Sequence, residues 1–295
     1  MPILEINHLT KKYGRITAVN DLNLTVSKGE VFGILGPNGS GKTTTLGIIL
    51  GITHPDNGHF SWFDGAYGDN PRRHLGALLE TPNFYPYLSA LDNLKIVAHI
   101  KKAPKAPFDQ LLELVSLGER KNTLFRTFSL GMKQRLAIAA ALIGDPEVLI
   151  FDEPTNGLDP QGIAEVRQTI TDIAAGGKTI IMASHILDEV EKVCSHVAII
   201  KNGHLKATGT VGAILSDDKI IEIGADDLDR LFDLVSSLPQ VKKTERPKAP
   251  FLLLHAHPEL TTATLNRLAF DHGILLTHLI ARQKSLESEF LEITK

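Results

Sequence analysis

Cysteine occurs once in the 295-residue chain, at position 194, so no intrachain disulfide can form and a reducing cytoplasm is the expected home. With no second thiol to pair with, Cys194 reads as a small buried residue, not a reactive one. Long apolar runs are missing. The longest unbroken one, residues 136–143, is far short of a membrane-spanning helix, which takes about 18 apolar residues or more. The opening MPILEINHLTKKYG alternates apolar and polar residues and lacks the basic-then-apolar order of a signal peptide. Neither sign of charge is in excess, with 31 Lys plus Arg against 34 Asp plus Glu and a formal net charge of −3. A chain built to grip a polyphosphate backbone carries a surplus of positive charge, so no nucleic-acid partner is expected. Internal repeats and low-complexity tracts are also missing, and 43% hydrophobic residues are enough to exclude whole-chain disorder.

What is present is a regular succession of elements. Residues 3–9 and 16–26 alternate as half-buried strands do, and 30–35 are apolar up to a glycine-rich turn, after which 43–50 turn helical. The stretch 84–143 is mostly helical and must break near Pro104 and Pro107, which no continuous helix tolerates. Three β-rich runs follow, 147–151, 179–183 and 196–201, separated by helical segments 161–175 and 186–193. That alternation predicts an α/β fold with a parallel sheet covered by helices. Past residue 216 the order becomes strand 219–223, helix 226–238, strands 241–246 and 251–255, helix 258–271, strand 274–281 and a short helix 285–293. The βαββαβ part suits a small ferredoxin-like α+β unit.

Residues 36–43 read GPNGSGKT and satisfy G-x-x-x-x-G-K-[ST] at every required position, between an expected strand and an expected helix. In such a loop the glycines let backbone N–H groups converge on phosphate oxygens. Lys42 reaches the β- and γ-phosphates, and the Thr43 hydroxyl holds Mg²⁺. A second site is the apolar strand ending in Asp152-Glu153-Pro154, since open α/β sheets bind ligands at the carboxyl ends of their strands. Asp152 is expected to hold Mg²⁺. Glu153, pointing the other way along the pleat, is expected to orient or deprotonate the water that attacks the γ-phosphate.

With these two sites in order, the sequence resembles the ATP-binding cassette (ABC) transporter ATPases over residues 3–215. The resemblance implies a P-loop NTPase cassette, 1–215, with a mixed-sheet core and a helical subdomain near 84–145, followed by the accessory α+β domain at 216–295. It extends the phosphate loop over Gly36, Pro37, Asn38, Gly39, Ser40, Gly41, Lys42, Thr43 and Thr44, and implies that Tyr13 stacks on adenine. The segment FSLGMKQR resembles the family signature, so Ser129 and Gly131 would face the γ-phosphate held by a second cassette. The usual first glycine and the glutamine are here Leu130 and Met132. Asp159 in NGLDP resembles the loop that senses the opposite site, and His185 resembles the switch histidine on the γ-phosphate. Where the family has a glutamine after the strand in LGALLE, this chain has Glu80, which can ligate Mg²⁺ or orient water.

Glu80, FYPYLSALDNL, the signature and SLESEFLEIT together resemble the bacitracin-resistance and lantibiotic-immunity branch of bacterial exporters. The function implied is an ATP-hydrolysing subunit of an exporter for an antimicrobial peptide or other amphipathic substrate. Its cofactors are ATP and Mg²⁺, and its partners a second cassette, identical or not, and a separate integral membrane permease that holds it on the inner face of the cell membrane. Phe84, Tyr85 and Tyr87 are the exposed aromatics expected to receive that permease. Two alternatives are a soluble ABC-type ATPase acting on nucleic acid or ribosomes, disfavoured by the single cassette and the charge, and a hydrolysis-weak regulatory cassette, for which Glu80 and Met132 leave room. Lys101, Lys102 and Lys105 read as a solvated basic loop, and His255 and His257 as two residues on one strand face without a third metal ligand.

Overall fold

A computed structural model of the protein describes residues 1–68, 70–79, 81–214, 219–283 and 290. The chain divides into two compact units, Met1–Val211 and Gly212–Lys295.

In the first unit, β1 (Pro2–Tyr13) and β2 (Ile16–Ser27) form an antiparallel hairpin, and β4 (Asn57–Trp62) pairs with the other edge of β1. The second sheet carries the chemistry. Its strands β3 (Val31–Leu35), β6 (Val148–Asp152) and β7 (Thr179–Ser184) are buried at every position. Their nearly unbroken apolar sequences leave no solvent side, as a strand covered by helices on both faces requires. With β5 (Leu75–Leu78), β8 (His196–Lys201) and β9 (His204–Thr210) the order is β5-β6-β7-β3-β8-β9, parallel except for the antiparallel β8–β9 edge. Because β6, β7 and β3 are neighbours running the same way, the loops after Asp152, Ser184 and Leu35 converge at one end of the sheet, although they are far apart in sequence. The two sheets share a core in which Leu9, Leu22, Ile34, Leu46, Trp62 and Ile150 are buried, and the Trp62 indole donates to the Ile49 carbonyl at 2.8 Å.

Helix α1 (Lys42–Ile49) follows β3 directly. The expected helical stretch holds α2 (Ala90–Ile100), α3 (Phe108–Leu114) and α4 (Leu130–Leu142), and the break falls at the prolines, with Pro107 as the N-cap of α3. From Gln134 to Leu142 every residue of α4 is buried, and the Arg135 guanidinium donates to the Val115 and Ser116 carbonyls and pairs with Glu165 at 3.1 Å. Lys101 corrects the reading of a solvated loop: its ammonium donates to the carbonyls of Ala140, Ala141 and Ile143 at 3.0–3.1 Å, closing the carboxyl end of α4. The residue as a whole is exposed, but its charged end is sunk among carbonyls, and that burial pulls its pKa down to about 8. Helices α5 (Pro160–Ala175) and α6 (Leu187–Val193) follow β6 and β7. Cys194, just after α6, is buried as expected, and burial pushes its thiol up to about 12. No helix among the described residues is long and apolar enough to cross a membrane.

After the single turn α7 (Val211–Ile214), the second unit runs β10 (Lys219–Ala225), α8 (Leu228–Ser236), β11 (Val241–Glu245), β12 (Leu252–Ala256), α9 (Thr262–Asp271) and β13 (Leu276–Gln283). The strand order is β11-β12-β10-β13, antiparallel throughout. Ile221, Ile223, Leu252 and Leu254 form a core with Leu231 and Val235 of α8 and Leu265 of α9. Helix α9 starts later than its apolar pattern predicts because Thr261 caps it, accepting from the Thr264 amide at 3.1 Å. His255 and His257 do not share a strand face, since β12 ends at Ala256. His255 instead lies 3.5 Å from Glu245, and no cluster of three metal-ligating side chains occurs among the described residues. The helix expected over 285–293 lies outside the described residues apart from Phe290.

Candidate functional site

The turn after β3 is shaped by close approach. A Cβ on Gly36 would lie 2.3 Å from the Ile200 carbonyl oxygen and 2.4 Å from Ser40 Oγ. One on Gly41 would lie 2.2 Å from the Ala18 carbonyl oxygen, and Gly41 has a φ of 108° that side chains rarely adopt. Pro37, Asn38 and Gly39 form the exposed tip. Gly41 is the N-cap of α1 and offers no side-chain acceptor, so the first-turn amides keep their donors for a ligand at the positive end of the helix. The Lys42 ammonium is buried and folds back over the loop, donating to the Gly36 carbonyl at 2.8 Å and the Pro37 carbonyl at 3.3 Å. Ser40 Oγ is buried with no hydrogen-bond partner among the described residues. Uncapped amides, a buried ammonium and an orphaned hydroxyl form a donor set that fits a polyphosphate. Thr43 is exposed and Thr44 half-buried, whereas Thr45 turns inward to the Gly41 carbonyl at 2.9 Å.

Asp152 closes β6 and is buried. Glu153 corrects the pleat argument: the strand has already ended, and Glu153 takes a left-handed φ of 49° with its amide on the Ala183 carbonyl at 3.0 Å. This turn, not strand alternation, separates the two carboxylates. Glu153 Oε1 lies 3.3 Å from Lys42 Nζ, and Glu153 Oε2 lies 2.8 Å from His185 Nδ1 and accepts from the His185 amide at 3.3 Å. One carboxylate thus bridges the ends of β3, β6 and β7. The exposed hydroxyl of Thr43 and the Asp152 carboxylate are hard oxygen donors of the kind Mg²⁺ takes, while Glu80 lies outside the described residues.

The other predicted residues sit apart. Ser129 is the exposed N-cap of α4, its Oγ accepting from the Met132 amide at 3.2 Å, and Asp159 is the exposed N-cap of α5, accepting from the Gly162 amide at 3.0 Å. A Cβ on Gly131 would lie 3.6 Å from Gly162 Cα, so the two helix starts are adjacent. Among the described residues no hydrogen bond or ion pair links Ser129, Gly131 or Asp159 to Lys42, Glu153 or His185. Tyr13 is half-exposed beside the β1–β2 turn, with Lys11 Nζ 5.5 Å from its ring centroid. Motif reading missed Thr155 and Glu189, a buried hydrogen-bonded pair beside this site, one in the turn after β6 and the other on α6.

Of the three aromatics expected to be exposed, Tyr85 and Tyr87 are. Phe84 is not: it is half-buried, edge-on to Phe125 at 5.2 Å, because the helical segment needs that ring to pack. Beside them is a cavity of about 470 Å³ lined by Asn83, Phe84, Tyr85, Pro86, Ile96 and Ile100.

Comparison with known proteins agrees with this geometry. A family profile described as ABC transporter matches residues 19–156. The bacitracin transport ATP-binding protein BcrA of Bacillus licheniformis is 36% identical over 297 residues, covering 99% of this chain and 97% of its own length. The lantibiotic transport ATP-binding protein SrtF of Streptococcus pyogenes is 40% identical over 203 residues, covering 69% and 89%. A solved ATP-binding subunit of an ABC transporter superposes with a TM-score of 0.64 at 32% identity, over 72% of this chain and 91% of that one. The phosphate loop, the strand-end carboxylates and these relatives lead to one conclusion: the chain belongs to the ABC transporter family, as an ATP-binding subunit that hydrolyses ATP.

Proposed function

We propose that this subunit powers export of an amphipathic antimicrobial peptide through a separate membrane permease, working as one of two cassettes on the inner face of the cell membrane. The observation that carries the catalytic part is the Lys42–Glu153–His185 contact chain at the ends of three adjacent parallel strands. The phosphates of ATP rest on the first-turn amides of α1 and on Lys42, whose ammonium they draw away from Glu153. The freed carboxylate orients the attacking water and takes its proton, and His185 holds that carboxylate through Nδ1 and contacts the γ-phosphate. Thr43 and Asp152, with Glu80, would hold Mg²⁺, which when bound neutralises charge on the β- and γ-phosphates. Tyr13 stacks on the adenine. Ser129, Gly131 and Asp159 serve the nucleotide of the second cassette. Tyr85, Tyr87 and the neighbouring cavity receive the permease.

The peptide class is supported by relatives named for bacitracin and lantibiotic transport. Glu153→Gln keeps the shape and removes the base, so phosphate release by the full chain should fall by about 100-fold or more while ATP binding persists. In cells deleted for the subunit, tolerance of bacitracin-type peptides should drop, returning with the wild-type chain but not with Glu153→Gln. Undiminished hydrolysis by the variant would remove Glu153 from this role, and unchanged tolerance in the deletion strain would remove the peptide class.

A further inference from the structure

Glu153 and His185 are not the only tie between their two segments. Thr155 lies two residues past Glu153 and Glu189 four past His185, in the first turn of α6; both are buried, and Thr155 Oγ1 donates to Glu189 Oε2 at 2.5 Å. Glu189 Oε1 is also buried and has no hydrogen-bond partner among the described residues. Packing alone would favour an apolar side chain at such a position, because a buried carboxyl with an unmatched oxygen is costly. Burial pushes the Glu189 carboxyl upward, the Thr155 bond opposes this, and Glu153 raises it further, so Glu189 is within electrostatic reach of the catalytic pair.

The turn it reaches is strained. Glu153 is a non-glycine residue at a φ of 49°, a conformation that persists only where the surroundings hold it. Upstream, the Glu153 amide is fixed to β7 through the Ala183 carbonyl. Downstream, Pro154 is followed at once by Thr155, whose hydroxyl ends on Glu189. We propose that Glu189, acting through Thr155, is a positioning residue for ATP hydrolysis: it clamps the far side of the Glu153 turn to the His185 segment and keeps the Glu153 carboxylate aimed at the attacking water. The proposal rests on the role given to Glu153 above.

The test is steady-state hydrolysis by the full chain in complex with its membrane subunit. Thr155→Val, which keeps the volume and deletes the donor, and Glu189→Ala should each lower kcat by about tenfold with KM for ATP unchanged, as expected when only the reactive alignment is lost. Glu189→Gln still offers Thr155 an oxygen and should recover kcat to within about threefold of wild type. The double variant Thr155→Val/Glu189→Ala should be no slower than either single one, because the two residues act as one unit. Full kcat in Thr155→Val, or failure of Glu189→Gln to recover it, would overturn the clamp. Glu153→Gln run alongside separates the failures: if it is inactive while Thr155→Val runs at full rate, only the clamp fails, and if it hydrolyses normally, the catalytic reading falls and the clamp with it.

Discussion

Glu189 also has a signature in stability. Its carboxyl titrates above the ordinary 4.5 because it is buried, so the folded chain holds that proton more tightly than the unfolded chain. With more protons bound in the folded state, stability falls as pH rises from the ordinary value through the raised one, and stays lower beyond it. Glutamine removes this loss. The thermal midpoint of Glu189→Gln should therefore match wild type near about pH 4 and exceed it near about pH 8 by roughly 2–4 °C, read by differential scanning fluorimetry. An equal shift at both pH values would mean that ionisation of Glu189 carries no cost. Lys42, Thr43, Asp152 and Glu153 were legible as candidates because phosphate chemistry demands fixed residue types at fixed spacing. Glu189 was not, since its partner Thr155 is 34 residues away and only the packing of α6 on the sheet brings them together.

Among the elements, the buried strands were legible for a simple reason: VLIFD and TIIMAS leave no polar face, so they belong in the middle of a covered sheet. Their order was not. Nothing in the run of residues says that β3, first of the parallel strands in the chain, is inserted between β7 and β8, yet that insertion is what carries Lys42 to Glu153. Helix α4 is enclosed on all sides from Gln134 onward and closed at both ends, by Ser129 Oγ at its start and by the Lys101 ammonium at its finish. The ammonium adds a donor to carbonyls at the open end of the helix, where among the described residues Ala140 otherwise accepts only from the Ile143 amide at 3.3 Å, and places positive charge at the negative end of the helix. Lys101→Met keeps the stem and should destabilise the chain by about 1–2 kcal/mol, measured as a lowered urea midpoint with an unchanged slope. ATP affinity should hold, since among the described residues no hydrogen bond or ion pair ties the start of α4 to Lys42, Glu153 or His185. A midpoint equal to wild type would show that solvent caps α4 as well as Lys101 does.

For the whole molecule, the net charge of −3 conceals the nucleotide site, because one buried lysine and a turn of backbone amides scarcely register in a charge total. Lys42, Glu153 and His185 form one connected set, while Ser129, Gly131 and Asp159 lie apart with no bond to it among the described residues. On the reading proposed above these are two half-sites, each completed by a second cassette. If so, ATP is the glue, and a variant that binds ATP without consuming it accumulates in the paired form. Glu153→Gln with ATP and Mg²⁺ should elute from size exclusion at twice the 32.2 kDa of one chain, and return to that mass when EDTA is added. Ser129→Glu in the same background sets a carboxylate against the opposing γ-phosphate, a like-charge contact at a desolvated interface. It should stay at the single-chain mass while still binding ATP through Lys42. Pairing that survives Ser129→Glu would mean that the start of α4 does not face the second nucleotide, and the half-site argument would have to be abandoned.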